Sequence, residues 1–245
     1  MKCIILAAGY ATRLYPLTEN FPKPLLEVGG KTILDHLLDD IASSGEVDSF
    51  VVVSNHKFVE HFRLWVSSRK EKMVVLDDGT TGNDNRLGAV KDVQFAVESL
   101  GLDDDLLVIA GDNLLDFSLV PFIGYARDKG TSCVMRFFEA SEQRLRRSGV
   151  AGVDENDMIV SMEEKPVVPK GNWCIPPFYY YRREDVPLVG KAISEGCATD
   201  APGSFIAWLC SHVPVHAYKM PGRRFDIGNL ESYVAVQRDY KGIVR

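Results

Sequence analysis

The sequence predicts an α/β fold: a mostly parallel sheet flanked by helices, with a β-rich extension in the second half. Three observations predict it. Short apolar runs alternate with amphipathic segments through the first half of the chain. Those runs are continuously apolar, which marks strands buried on both faces. Further on, β-branched and aromatic residues dominate, and most of the 12 prolines lie there.

Taken in order, "CIILAA" reads as a first buried strand. "TILDHLLDDIAS" places Ile33, Leu34, Leu37, Leu38 and Ile41 on one helical stripe. "SFVVVSN" is a second strand. "KFVEHFRLWVSS" is a second helix, with Phe58, Val59, Phe62, Trp65 and Val66 on its apolar side. "KMVVLDD", "LGAVKDVQFAVESL" and "DLLVIAGD" continue as strand, helix and strand. The strand-rich part follows as "TSCVMRFFEA", "GVAGVDENDMIVSMEEKP" and "WCIPPFYYYRRE", with "DENDM" as a hairpin connection. Helices return at "EDVPLVGKAISEG" and "GSFIAWLCSH", and "VHAYKM" is a strand. The last helix, "NLESYVAVQRDYKG", takes Asn229 as its N-cap. No linker, repeat or low-complexity tract interrupts the chain, so a single domain over 1–245 is expected.

The 245 residues can bury a full core without disulfide or metal support. A formal charge of −6 disfavours nonspecific nucleic-acid or membrane binding and leaves room for a local basic pocket. No apolar run approaches the ~20 residues that cross a bilayer, and the N-terminus lacks the flanks of a signal peptide. Cys3, Cys133, Cys174, Cys197 and Cys210 form no C-x-x-C pair. They read as reduced thiols of a cytoplasmic protein, without zinc-ligand spacing. Oligomeric state is not legible, and a homo-oligomer stays open.

The segment after the first strand, "LAAGYATRLYPLT", lies where open α/β sheets bind ligands. Ala7, Ala8 and Gly9 let the backbone approach a ligand closely. Arg13 offers a planar cationic fork and Lys23 a point charge, both suited to phosphate. Gly9 and Arg13 alone fit a small-residue turn with a solvated arginine equally well. The loop is neither G-x-x-x-x-G-K-[ST] nor G-x-G-x-x-G, so the generic phosphate motifs do not apply.

"LAAGYATRLYPLT" followed by "FPKPLLEVGGKTILDH" resembles the signature of the sugar-1-phosphate nucleotidyltransferases, L-A-[AG]-G-x-[GA]-T-R-L-x-P-L-T and then P-K-x-L-[LV]. Ala11 stands where many members have Gly. The resemblance runs from Lys2 to about Tyr233 and implies a Rossmann-like, mostly parallel sheet of nucleotide-diphospho-sugar transferase type. It implies a nucleotide-binding half over about 1–135 and a sugar-phosphate-binding half over about 136–245. It further implies transfer of a nucleotidyl group from an NTP to a sugar 1-phosphate, with Mg²⁺ as cofactor and pyrophosphate as leaving group. The implied catalytic residues are Arg13, Lys23 and Lys165. The nucleotide would meet Leu6, Ala7, Ala8, Gly9, Thr12, Arg13, Asn83, Asn85, Gly88 and Gly111. UTP or dTTP is the favoured nucleotide, with CTP or GTP as alternatives.

"VIAGDN" ends the fourth strand on Asp112, and "RRFDIGN" carries Asp226 before the last helix. Taken singly, each fits a turn cap as well as a metal ligand, and spacing does not show that they meet. The resemblance implies that both hold Mg²⁺. "GVAGVDENDMIVSMEEKP" resembles the family's sugar block, which implies Gly149, Glu164 and Lys165 on the sugar phosphate. Ser148 stands where many thymidylyltransferases have Tyr, so the sugar stays open. "LDDDLL" contains D-x-D at Asp103–Asp105 but precedes its strand, and reads as a solvated loop. "DAPGSFIAWL" reads as a helix without an assigned role. No hexapeptide repeats follow, so no fused acyltransferase is expected. A non-catalytic nucleotide-sugar sensor on the same fold and a glycosyltransferase are the rival readings; the "TRLYPLT…PKPLL" signature speaks against the latter.

Overall fold

In the computed structural model, which describes residues 1–244, β1 (Lys2–Leu6) runs into two 3-10 turns, Thr12–Leu14 and Lys23–Leu25. Then come β2 (Glu27–Val28), β3 (Lys31–Thr32), α1 (Ile33–Ser43), β4 (Ser49–Ser54), α2 (Val59–Ser67), β5 (Met73–Asp77), α3 (Ala89–Leu100) and β6 (Leu106–Ala110). The chain continues through β7 (Leu114–Leu115), α4 (Val120–Lys129), β8 (Ser132–Phe138), α5 (Glu142–Leu145), β9 (Gly149–Val153) and β10 (Ile159–Glu164). It ends with β11 (Trp173–Ile175), β12 (Phe178–Tyr181), α6 (Leu188–Ser194), α7 (Gly203–Leu209), β13 (Val215–Lys219), β14 (Arg224–Phe225) and α8 (Leu230–Asp239).

These elements form two compact units that interleave along the chain. Unit 1 takes Met1–Arg86, Ala110–Pro121 and the segment from Pro221 on; unit 2 takes Leu87–Ile109 and Phe122–Met220. In unit 1 the strands β1, β4 and β5 pair in parallel, with Ile4 opposite Val51 and Val51 opposite Val74. The continuously apolar runs are buried as their pattern requires: Cys3, Ile4, Ile5 and Phe50–Val53 are all nearly inaccessible. A capping box starts α1: Thr32 Oγ1 accepts from Asp35 N at 3.0 Å while Asp35 accepts from Thr32 N at 3.2 Å. The expected stripe of α1 is buried in full. Asn229 caps α8, with its side chain accepting from Ser232 N at 2.8 Å. A second apolar cluster joins Leu14, Leu26, Val28, Ile33, Leu114, Ile227, Val236 and Tyr240. It ties the loop after β1 to the C-terminal helix across the length of the sequence.

Unit 2 holds the β-rich part. Its strands run in the order β10, β9, β11, β8, β12, β6, with β13 parallel to β8 and the other pairs antiparallel. The "DENDM" segment is a hairpin turn, as expected. Asp154 accepts from Asn156 N and Met158 N, and Asp157 adopts a left-handed φ of 66°. The helix α4 is not visible in the pattern, because Pro121 and Gly124 interrupt it and only Phe122, Ile123 and Ala126 are buried. The D-x-D carboxylates are anchors of unit 2. Asp105 accepts from Tyr180 OH at 2.6 Å and from Arg183 N at 2.8 Å, and Asp103 pairs with the Arg183 guanidinium.

Candidate functional site

The loop after β1 is held open by backbone geometry. Ala7 N donates to Val53 O at 2.9 Å and Asn55 Nδ2 donates to Ala8 O at 3.0 Å, which pins its root. Ala11 then turns with φ 46° and ψ 40°. That left-handed conformation costs an L-residue about 1–2 kcal/mol, which explains physically why Gly suits the position. Thr18, fully buried, secures the turn by donating to Ala11 O at 2.8 Å. The turn aims Thr12 and Arg13 outward, and both are exposed. A cavity of about 240 Å³ lies against the loop, lined by Leu6, Ala7, Gly9, Arg13, Lys23 and Asp112 among others, all in unit 1. A Cβ on Gly9 would meet nothing within 4 Å, so a ligand can reach this backbone.

Lys23 is 8% exposed, and its ammonium lies 2.8 Å from Asp112 Oδ2. Burial works against ionisation of Asp112, but the charges of Lys23 and Arg224 outweigh it and hold the carboxyl below its ordinary range. Asp226 directly follows the second strand of a two-stranded ribbon in unit 1. The strand β14 pairs antiparallel with β7, Arg224 opposite Leu115 and Phe225 opposite Leu114. Asp226 is the next residue after this pairing, and Asp112 lies two residues before β7. Ile227 and Gly228 line the same cavity. Asp112, beside Lys23 in this cavity, and Asp226, one residue before the lining residue Ile227, are carboxylates of the kind that suit a hard divalent cation completed by phosphate and water. No group of three or more His, Cys, Asp or Glu assembles a metal site among the described residues.

Unit 2 brings together Gly149, Glu164 and Lys165. Gly149 pairs with Glu164 across the β9–β10 hairpin. A Cβ on Gly149 would stand 2.8 Å from Glu164 Oε2. Burial pushes the Glu164 carboxyl above its ordinary range; Lys165 opposes that push and Asp200 adds to it. Lys165 takes a left-handed φ of 50°, a conformation that clusters at functional sites. Its ammonium is exposed and lies 3.9 Å from Asp200. Two participants were not identified from sequence. Asp200 lies beside Lys165, and Gly203, the first residue of α7, presses its backbone against Glu164, where a Cβ would be 2.1 Å from Oε2. A glycine opening a helix packed on β10 was the available signal.

Asn83, Asn85, Gly88 and Gly111, the remaining expected nucleotide contacts, each have partners within their own unit. Asn85 Oδ1 accepts from Thr81 N and Gly82 N, and Asn83 Oδ1 accepts from Arg86 at 2.7 Å. Gly111 packs its backbone against β1, since a Cβ would lie 2.9 Å from Ile5 Cγ2. Gly88, at φ 91°, lies against the backbone of Thr199 in unit 2. The first amides of α3, Ala89 N and Val90 N, donate to Asp200 O and Thr199 O.

Comparison with known proteins adds an independent line. The family model of the nucleotidyl transferases matches residues 2–242. A Sulfolobus acidocaldarius protein provisionally named mannose-1-phosphate guanyltransferase is 29% identical over 99% of this chain and 62% of its own length. The bifunctional protein GlmU of Methanocaldococcus jannaschii is 28% identical over 93% of this chain and 51% of its own. This chain therefore spans about half to three fifths of those curated relatives. The UTP–glucose-1-phosphate uridylyltransferase AglF of Haloferax volcanii is 28% identical over 93% of this chain and 91% of its own. A crystal structure of UDP-glucose pyrophosphorylase with UDP-glucose superposes with a TM-score of 0.82, at 17% identity, over 97% of each chain. That likeness carries the fold.

Proposed function

The chain belongs to the nucleotidyl transferase family, and from that premise we propose that it is a sugar-1-phosphate nucleotidyltransferase. The observation that carries the reading is the unit 1 cavity, where an open small-residue loop, Arg13, Lys23 and Asp112 converge, and where Asp226 immediately precedes the lining residue Ile227 in sequence. A nucleoside triphosphate fits that set: backbone for close approach, two cations for phosphate oxygens, two carboxylates for a divalent cation. In unit 2, Lys165 offers a cation for the sugar phosphate, and Glu164 offers an acceptor for sugar hydroxyls.

The chemistry is an in-line displacement at the α-phosphorus. An oxygen of the sugar phosphate forms the new bond, and the bond to pyrophosphate breaks. A phosphate monoester is already ionised near neutral pH, so no protein base is required. The protein contributes position and charge neutralisation. Lys165 would hold the attacking phosphate, while Arg13 and Lys23 would offset charge growing on the leaving pyrophosphate. Asp112 and Asp226 would hold Mg²⁺, which when bound neutralises phosphate charge. UTP or dTTP is the proposed nucleotide. The AglF relative, matched over nearly its whole length, carries a uridylyltransferase name, and the guanyltransferase name of the Sulfolobus relative makes GTP the competitor to test.

The test is pyrophosphate release over a panel of UTP, dTTP, GTP, CTP and ATP against several sugar 1-phosphates, with Mg²⁺. Release with one uridine or thymidine pair is expected. Release only with GTP corrects the base, and no release from any pair overturns the enzymatic reading.

A further inference from the structure

We propose that Arg224 and Asn113 are positioning residues that fix the Asp112 carboxylate for a divalent cation; this rests on the metal site proposed above. Asn113 is 3% exposed, and its amide is engaged on both sides. Its Nδ2 donates to Ala110 O at 3.1 Å and to Asp112 Oδ1 at 3.2 Å, and its Oδ1 accepts from Arg224 Nη1 at 2.9 Å.

The direction of these bonds is forced. A guanidinium only donates, so the amide oxygen must face Arg224 and the amide nitrogen must face Asp112. Turned over, the amide would set its oxygen against the carboxylate and leave Arg224 facing a donor. Arg224 therefore decides what Asp112 meets on its Oδ1 side. On the other side, Lys23 holds Oδ2 at 2.8 Å from the end of a flexible stem. Of the two partners, the lysine can withdraw toward a phosphate when a cation arrives. The amide, buried and bonded at both ends, stays and keeps the carboxylate plane in place. The strand that delivers Arg224 also leads directly to Asp226. The two motifs "AGDN" and "RRFDIG" thus each carry one proposed ligand and one positioning residue. Groups that orient a metal ligand affect metal affinity by about 10–100-fold when removed.

The test uses the whole protein and Mn²⁺ alone, with free Mn²⁺ read by electron paramagnetic resonance. Arg224→Met should weaken Mn²⁺ binding about 10–100-fold with circular dichroism unchanged. Arg224→Lys, which can still donate to Asn113 Oδ1, should restore most of it. Asn113→Leu, which removes the amide from the other end, should reproduce the loss and serves if Arg224→Met does not fold. Asp112→Asn is the control that separates the two claims. If Asp112→Asn loses Mn²⁺ while Arg224→Met and Asn113→Leu keep it, the positioning role is overturned and the metal site stands. If Arg224→Lys falls as far as Arg224→Met, donation to Asn113 is not the cause and the role is overturned. If the unmodified protein binds Mn²⁺ no better than Asp112→Asn, the metal site fails and the positioning role with it.

Discussion

Replacing Gly203 by alanine tests whether α7 holds Glu164 in place. The added methyl would sit 2.1 Å from Glu164 Oε2 and 3.2 Å from Met162 Cε. Non-bonded carbons settle at about 3.5–4.0 Å, so the carboxylate must retreat by more than ~1 Å or α7 must lift from β10. Overpacking of this kind costs about 1–3 kcal/mol. Alanine in a helix returns about 1 kcal/mol over glycine. The net is a loss of roughly 0–2 kcal/mol. At about 2–4 °C per kcal/mol for a chain of this size, the thermal midpoint should fall by at most ~8 °C. The kinetic effect should be larger. A displacement of ~1 Å at a positioned group can cost up to ~100-fold, so KM for the sugar 1-phosphate should rise by roughly 10–100-fold. KM for the nucleotide should stay where it was. Steady-state pyrophosphate release, titrated in each substrate separately, reads both constants. Gly149→Ala, with its methyl 2.8 Å from the same oxygen, should act in the same direction. An unchanged midpoint together with an unchanged sugar-phosphate KM would refute the wedge of α7 on Glu164. An equal rise in both KM values would remove Glu164 from the sugar side.

Three further expectations rest on separate features. Asp226→Asn should lower kcat by at least ~100-fold with little change in sugar-phosphate KM; unchanged turnover would sink the metal assignment. Ala11→Val places a β-branched side chain at φ 46° and should lower the midpoint by several degrees, whereas Ala11→Gly should not; equal behaviour of the two in calorimetry would show that the turn is not left-handed. Arg69 gathers Asp35 at 2.9 Å, Asp39 at 2.6 Å and Glu71 at 3.0 Å. For Asp39 and Glu71, burial alone would raise the pKa, but bonds to Arg69, joined at Asp39 by Lys31, reverse it and hold both below their ordinary values. A depressed carboxyl contributes stability above its unfolded pKa, about 3.9 for Asp and 4.3 for Glu, and loses it as pH falls through the lower folded value. Urea unfolding from about pH 5 downward should therefore show a shallower decline for Arg69→Met than for the unmodified chain, and parallel declines would contradict the reasoning.

The parts of the fold that local pattern dictates were legible. The apolar stripe of α1, the strand β1 and its loop, the Asn229 cap and the "DENDM" turn each follow from residues close in sequence. What escaped depends on contacts between distant segments. The ribbon that pairs the segment after Asp112 with the segment before Asp226 has two paired residues on each side, too few for any alternation to show. Helix α4 breaks its own stripe with Pro121 and Gly124. Gly111 reads as a ligand glycine in "AGDN", and that motif does not show that its missing side chain also makes room for Ile5. Gly203 and Asp200 lie some forty residues from Glu164 and Lys165 and are joined to them only by packing of α7 on β10. Motif order could carry the pairing of Gly149 with Glu164 because a hairpin brings them together. It could not carry the α7 contacts, because their spacing is set by how a helix lands on a sheet.

Two carboxylates with a neighbouring lysine have their pKa values displaced in opposite directions, and the difference follows from geometry. Both Asp112 and Glu164 experience burial that favours the neutral form. At Asp112 the buried lysine makes direct contact at 2.8 Å and Arg224 adds a second positive charge, so attraction outweighs burial and the pKa is held down although the carboxylate side chain is partly exposed. At Glu164 the lysine is the next residue in sequence, but its ammonium is exposed and lies 3.9 Å from Asp200. Its attraction is weakened by solvent, and Asp200 pushes the carboxyl the other way, so burial wins. The outcome suits two different tasks. A carboxylate that must hold a divalent cation has to be ionised before the cation arrives. In the proposed site, Glu164 would gain acceptor strength if a bound phosphate drew the Lys165 ammonium toward it. Asp200→Asn removes the opposing charge, so it should lower the Glu164 pKa, and ¹³C NMR of labelled glutamate carboxyls should report that shift; an unmoved resonance would show that Asp200 does not act on Glu164.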